Sequence, residues 1–106
     1  LLRRLVGGFT GWARVIQDPA IQETCVRAAH ALNLRGSMNI QLRMTVSGPR
    51  VFEINPRFSS TVLMRHRIGF ADVTWSLQET AGLQVEFPRI PVGTTIVRTQ
   101  GAAVIN

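Results

Sequence analysis

A chain of 106 residues, 45% hydrophobic and 17% charged, has the composition of one soluble globular domain and little room for two lobes with a cleft between them. No apolar run approaches the roughly 20 residues of a membrane helix, the opening LLRRLVGGF lacks the longer apolar block of a signal peptide, and the lone Cys25 cannot close an internal disulfide, so the expected setting is a reducing cytoplasm. The net charge of +6 rests on arginine alone, since the chain has no lysine, and the arginines are scattered without interleaved aromatics, so neither a membrane nor nucleic acid is the expected partner.

In chain order, two strand-like runs come first, residues 2–6 and 12–16, around the glycines of GGFTG. The segment DPAIQETCVRAAHALNLRG then predicts a helix. Asp18 suits the N-cap and Pro19 the first helical position, while Ile21, Cys25, Ala28, Ala29 and Leu32 form one apolar stripe. Asn33 or Gly36 should end it. SSTVLMRHRIG predicts a second helix, capped by Ser59 or Ser60 and stopped at Gly69. ADVTWSLQETAG predicts a third, capped near Asp72 and stopped at Gly82. Two strand-like runs, TTIVRT and AAVIN, close the chain. Strands, helix, hairpin, helices and strands in that order predict an α+β fold, a mainly antiparallel sheet with helices packed on one face.

Between the first two helices, MNIQLRMTVSGPRVFEIN predicts a β-hairpin. Ile40, Leu42, Met44 and Val46 alternate with polar neighbours, and Phe52 and Ile54 alternate with Glu53 and Asn55. With Ser47-Gly48-Pro49 as the loop, Val46 would face Arg50, Leu42 would face Ile54 and Gln41 would face Asn55. The apolar side chains then share one face, and Gln41, Arg43, Glu53 and Asn55 share the other.

That polar face raises a chemical question. Gln41, Glu53 and Asn55 all offer oxygen ligands at roughly 5–8 Å between side-chain bases. A single carboxylate with neutral oxygens suits a hard cation, Mg²⁺ or Mn²⁺, which commonly binds with substrate phosphates. Arg57 lies just past the turn at Pro56, where its fork-shaped guanidinium could grip a phosphate, beside the N–H groups of the following helix. The bland alternative is a solvated face on which Glu53 pairs with Arg43 for a few tenths of a kcal/mol. His30 and His66 have no partner at metal-ligand spacing and read as structural or solvent-facing. Cys25 reads as core, Trp12 and Trp75 as packing residues, and Asp72 as a cap.

The stretch LNLRGSMNIQLRM…VFEINPRFSST resembles the C-terminal part of the ATP-grasp ATP-binding domain, in the branch that contains the carbamoyl phosphate synthase large subunit. The resemblance is clear over residues 18–85 and weaker over 1–17. It implies that Gln41 and Glu53 hold one Mg²⁺ (or Mn²⁺), that Glu53 and Asn55 hold a second with Glu53 bridging, and that Arg57 acts catalytically on the phosphates of ATP. Arg43 faces the same site and would contact nucleotide or phosphate. The implied reaction is activation of a carboxylate as an acyl phosphate, which an amine or similar nucleophile attacks. The phosphate-binding lysines and the adenine hinge of such enzymes belong to upstream segments. Leu at position 1 likewise suggests a piece of a longer chain, a single C-terminal subdomain that meets ATP and its carboxylate through missing N-terminal lobes. Alone it should bind ATP weakly and catalyse nothing, and its open flank is compatible with homo-oligomers. The competing expectation is a non-catalytic module derived from ATP-grasp that serves binding or interaction.

Overall fold

The computed structural model describes residues 1–99. The run AAVIN lies outside the described residues. The fold is α+β, as the element order predicts, but the strands form two separate antiparallel sheets. Strands β1 (Leu2–Val6), β2 (Phe9–Arg14) and β5 (Thr95–Val97) make a three-stranded sheet with β2 in the middle, and β3 (Asn39–Thr45) and β4 (Gly48–Asn55) make the hairpin. Helices α1 (Pro19–Ala31), α2 (Val62–Arg67) and α3 (Asp72–Thr80) complete it. α1 lies against β4, and α2 against α3. Among the described residues, no helix is long and apolar enough to cross a membrane.

The turn between β1 and β2 shows why β2 begins earlier than the pattern suggested. Val6 pairs with Phe9, and Gly7 and Gly8 both take positive φ, 57° and 81°. This two-residue turn matches the twist of the flanking strands, so pairing resumes at once. Gly11 is absorbed as a bulge between the pairs Arg4–Trp12 and Leu5–Thr10. Thr10 and Ala13 of β2 are buried, while Leu2, Leu5, Val6 and Phe9 are exposed.

α1 begins as its sequence dictates. Asp18 Oδ1 accepts from Ala20 N at 2.9 Å and Ile21 N at 3.1 Å, and Pro19 occupies the first turn. The helix stops where Asn33 turns left-handed (φ 48°) and Leu34 N reaches back to Ala29 O at 2.9 Å. Ile21, Cys25, Ala28 and Ala29 are half-buried, but Leu32, at the end of the stripe, is exposed. Burial pushes the Cys25 thiol above its ordinary pKa, which suits a packed side chain and not a nucleophile. Asp18→Ala should cost about 1 kcal/mol by removing both cap bonds, read as a lower urea midpoint at unchanged slope; an unchanged midpoint would show that the cap contributes nothing.

α2 is shorter than expected. Thr61, not Ser59 or Ser60, stands at its N-cap and makes no side-chain cap bond. The Ser59 hydroxyl instead lies 2.6 Å from Thr61 Oγ1 and accepts from Thr61 N, a local turn that competes with an earlier helix start. Asp72 is not the cap of α3 either. Ala71 holds that position, and the Asp72 carboxylate is buried, accepting from Arg65 Nη2 at 2.7 Å and Ser37 Oγ at 2.8 Å. Trp75 packs edge-on to Phe70 and Phe87, with ring centroids 4.9 and 5.0 Å apart, on the wall of a cavity of about 630 Å³.

Candidate functional site

The site is built on the β3–β4 hairpin, whose register differs from the expected one. Val46 and Ser47 make the turn and Thr45 pairs with Gly48. Gly48 adopts φ 93°, a conformation that glycine takes without strain. Pro49 therefore sits inside β4, opposite Met44. The strand belongs to a two-stranded sheet, and an edge position that needs no N–H tolerates proline. A bulge at Phe52 then restores the alternation: Leu42 pairs with Val51, but Gln41 pairs with Glu53, Ile40 with Ile54 and Asn39 with Asn55.

The consequence is a tighter constellation than the sequence suggested. Gln41 faces Glu53 directly instead of Asn55, which places their Cβ atoms at roughly 4.5–5.5 Å. Asn55 Nδ2 donates to Glu53 Oε1 at 2.7 Å, so the amide and the carboxylate lock each other. Glu53 therefore pairs with Asn55 and not with Arg43. Asn39 joins the same face by pairing with Asn55, and Arg43 lies opposite Arg50. Two like charges directly across a hairpin repel, an arrangement that an anion would relieve. A three-residue loop at 47–49 would pair Arg50 with Val46, which hides its membership of this face. On the opposite face Ile40, Leu42, Val51 and Ile54 are half-buried, while Arg43 and Glu53 are exposed.

Arg57 is presented by the turn at Pro56. Arg57 N donates to Asn55 O at 2.8 Å, closing a three-residue turn around the proline, and the exposed guanidinium donates to Phe58 O at 2.9 Å. α2 spans six residues and adds little of the expected macrodipole. Among the described residues, no three His, Cys, Asp or Glu side chains gather as a metal cluster. His30 and His66 are exposed, on α1 and α2 respectively.

Arg3, which the sequence did not single out, reaches this site from the other sheet. Its Nη2 donates to Gln41 Oε1 and its Nη1 to Thr10 Oγ1 at 3.4 Å. Arg98 makes a parallel tie from the same sheet, donating to Thr10 O at 2.8 Å and Ser60 O at 2.9 Å. No local pattern in Leu2–Val6 marks Arg3 as different from Arg4. The signal is tertiary.

The donor chemistry of the hairpin fits a hard divalent ion. Gln41 Oε1, the Glu53 carboxylate and Asn55 Oδ1 are all side-chain oxygens, one of them charged, on adjacent positions of one face. An α+β unit with antiparallel strands, an oxygen-donor trio at a hairpin end and an arginine just beyond it is consistent with a lobe of the ATP-grasp type. The chain belongs to the ATP-grasp family described as "ATP-grasp in the biosynthetic pathway with Ter operon", whose model matches residues 3–102. Membership indicates an ATP-binding domain of the ligase type; the matched description does not single out the carbamoyl phosphate synthase branch. No match was found among curated proteins or among solved structures.

Proposed function

We propose that the polar face of the β3–β4 hairpin is the metal–triphosphate half of an ATP-grasp site, serving ATP-dependent activation of a carboxylate. The observation that carries this reading is the direct pairing of Gln41 with Glu53, with Asn55 hydrogen-bonded to the same carboxylate, in a chain of the ATP-grasp family. Gln41, Glu53 and Asn55 would hold one or two Mg²⁺ or Mn²⁺ ions, with Glu53 shared. A divalent ion there supplies charge neutralisation on the phosphoryl oxygens. Arg57, on its short turn, reaches the phosphates from the end of β4. Arg43 and Arg50 place two more guanidinium groups along the same face. Phosphoryl transfer depends mostly on such positioning and electrostatics.

In the reaction a carboxylate oxygen attacks the γ-phosphorus, the bond to ADP breaks and an acyl phosphate forms. An amine or similar nucleophile then attacks the carbonyl carbon and phosphate leaves. The narrowest form of this reading is the carbamoyl phosphate synthase-like chemistry that the EINPR motif resembles. The phosphate-binding lysines and the adenine pocket would come from a complementary lobe, because this chain has no lysine. ATP titrations with Mg²⁺ and with EDTA test the reading, on the protein at its natural length together with that lobe and on this chain alone. Metal-dependent binding by the former and weak binding by the latter is the expected pair. ATP binding that ignores the metal would rule out the hairpin site. Tight Mg²⁺-dependent binding by this chain alone would rule out the half-site.

A further inference from the structure

We propose that Arg3 is a guanidinium stand-in for the divalent ion, holding the Gln41 oxygen in the metal-free protein and releasing it when metal binds. The inference rests on the metal site proposed above and adds a residue from a different sheet to it. Arg3 makes both of its contacts through terminal nitrogens, Nη2 to Gln41 Oε1 and Nη1 to Thr10 Oγ1 at 3.4 Å. Thr10 is 1% exposed, so one end of the guanidinium is anchored on a fixed hydroxyl of the adjacent strand. Strand alternation separates Arg3 from its neighbour. Arg4 points the other way and stacks over Trp12, 5.4 Å from the ring centroid.

Gln41 offers a metal one oxygen, and that oxygen already accepts from a full positive charge. A divalent ion and a guanidinium within hydrogen-bond range of one carbonyl repel strongly even in a watery setting. One must leave for the other to stay. Arg3 can leave without being stranded, because it is exposed and a triphosphate arriving with the metal offers it new acceptors. Until then it holds the Gln41 oxygen in a single hydrogen bond. Metal binding therefore breaks one polar tie between the three-stranded sheet and the hairpin, and the position of β1 becomes coupled to occupancy of the site.

The test is a Mn²⁺ titration without nucleotide on the protein at its natural length, comparing wild type, Arg3→Gln, Arg4→Gln and Glu53→Gln. Removing the competitor should raise Mn²⁺ affinity about ten-fold in Arg3→Gln. Arg4→Gln carries the same charge change on the opposite face and should shift it less than about two-fold. A gain of affinity cannot come from damaged folding, so the Arg3 readout is specific. An unchanged or weaker affinity in Arg3→Gln, or an equal gain in Arg4→Gln, overturns the role of Arg3. Where Arg3→Gln fails in this way but Glu53→Gln abolishes binding, the metal site stands and the stand-in alone is wrong. If Glu53→Gln binds Mn²⁺ as wild type does, the metal site itself fails and the stand-in with it.

Discussion

Glu53→Gln should lower Mn²⁺ affinity by roughly a hundred-fold or more and remove the metal dependence of ATP binding. The substitution keeps the shape of the side chain and an oxygen for Asn55 Nδ2, which now donates to Glu53 Oε1 at 2.7 Å. What it deletes is the single negative charge of the oxygen trio. Hard divalent cations bind through one or two carboxylates, with neutral oxygens and water completing the shell. Three amides without a carboxylate are therefore a poor site. Asn55→Ala should be milder, on the order of ten-fold, because it removes a neutral ligand and the bond that orients Glu53. Circular dichroism on the same samples separates lost binding from lost folding, since Glu53 is exposed and its replacement leaves the packing intact. A Glu53→Gln protein that binds Mn²⁺ within two-fold of wild type would sink the site.

Most of this constellation was legible in the sequence, and the reason is period two. Gln41, Glu53 and Asn55 fall on one face for any pairing offset that keeps parity, so the face survived an incorrect loop. Its partners did not. The offset depends on Gly48, which turns left-handed at φ 93°, and on Pro49, which turn propensity assigns to the loop although an unpaired strand edge accepts it. That misplacement concealed the Gln41–Glu53 and Arg43–Arg50 pairs. Helix starts failed for a related reason. Ser59 and Asp72 are good caps by type, but Ser59 bonds to Thr61 locally and Asp72 is drawn away by Arg65 and Ser37. Arg3 was beyond reach altogether, because the contact between two sheets 38 positions apart leaves no periodic trace.

Asp72→Ala should be the most destabilising single substitution outside the site, costing roughly 3–5 kcal/mol. Among the described residues the buried apolar side chains are Ala13 and Met64, so this molecule has little core to absorb a stranded charge. The side chains of Arg65 and Asp72 are 13% and 7% exposed. Asp72 Oδ2 accepts from both Arg65 Nη2 and Ser37 Oγ, whereas Arg65 Nε and Asp72 Oδ1 are buried without a partner. The pair is thus single-pronged and lacks the strength of a fork. Removing the carboxylate leaves Arg65 buried and, among the described residues, supported by the ring of Phe70 at 5.2 Å, a contact worth about 0.5–2 kcal/mol. For a domain of this size the melting temperature should fall by at least ten degrees or so. Replacing both partners with apolar groups, Arg65→Met with Asp72→Leu, should recover most of that loss, because neither charge remains to be desolvated. Thermal unfolding of the wild type and the two variants decides the matter. If the double variant melts as low as Asp72→Ala, the loss comes from the Ser37 bond that ties α3 to the segment before β3, and the ion pair itself contributes little.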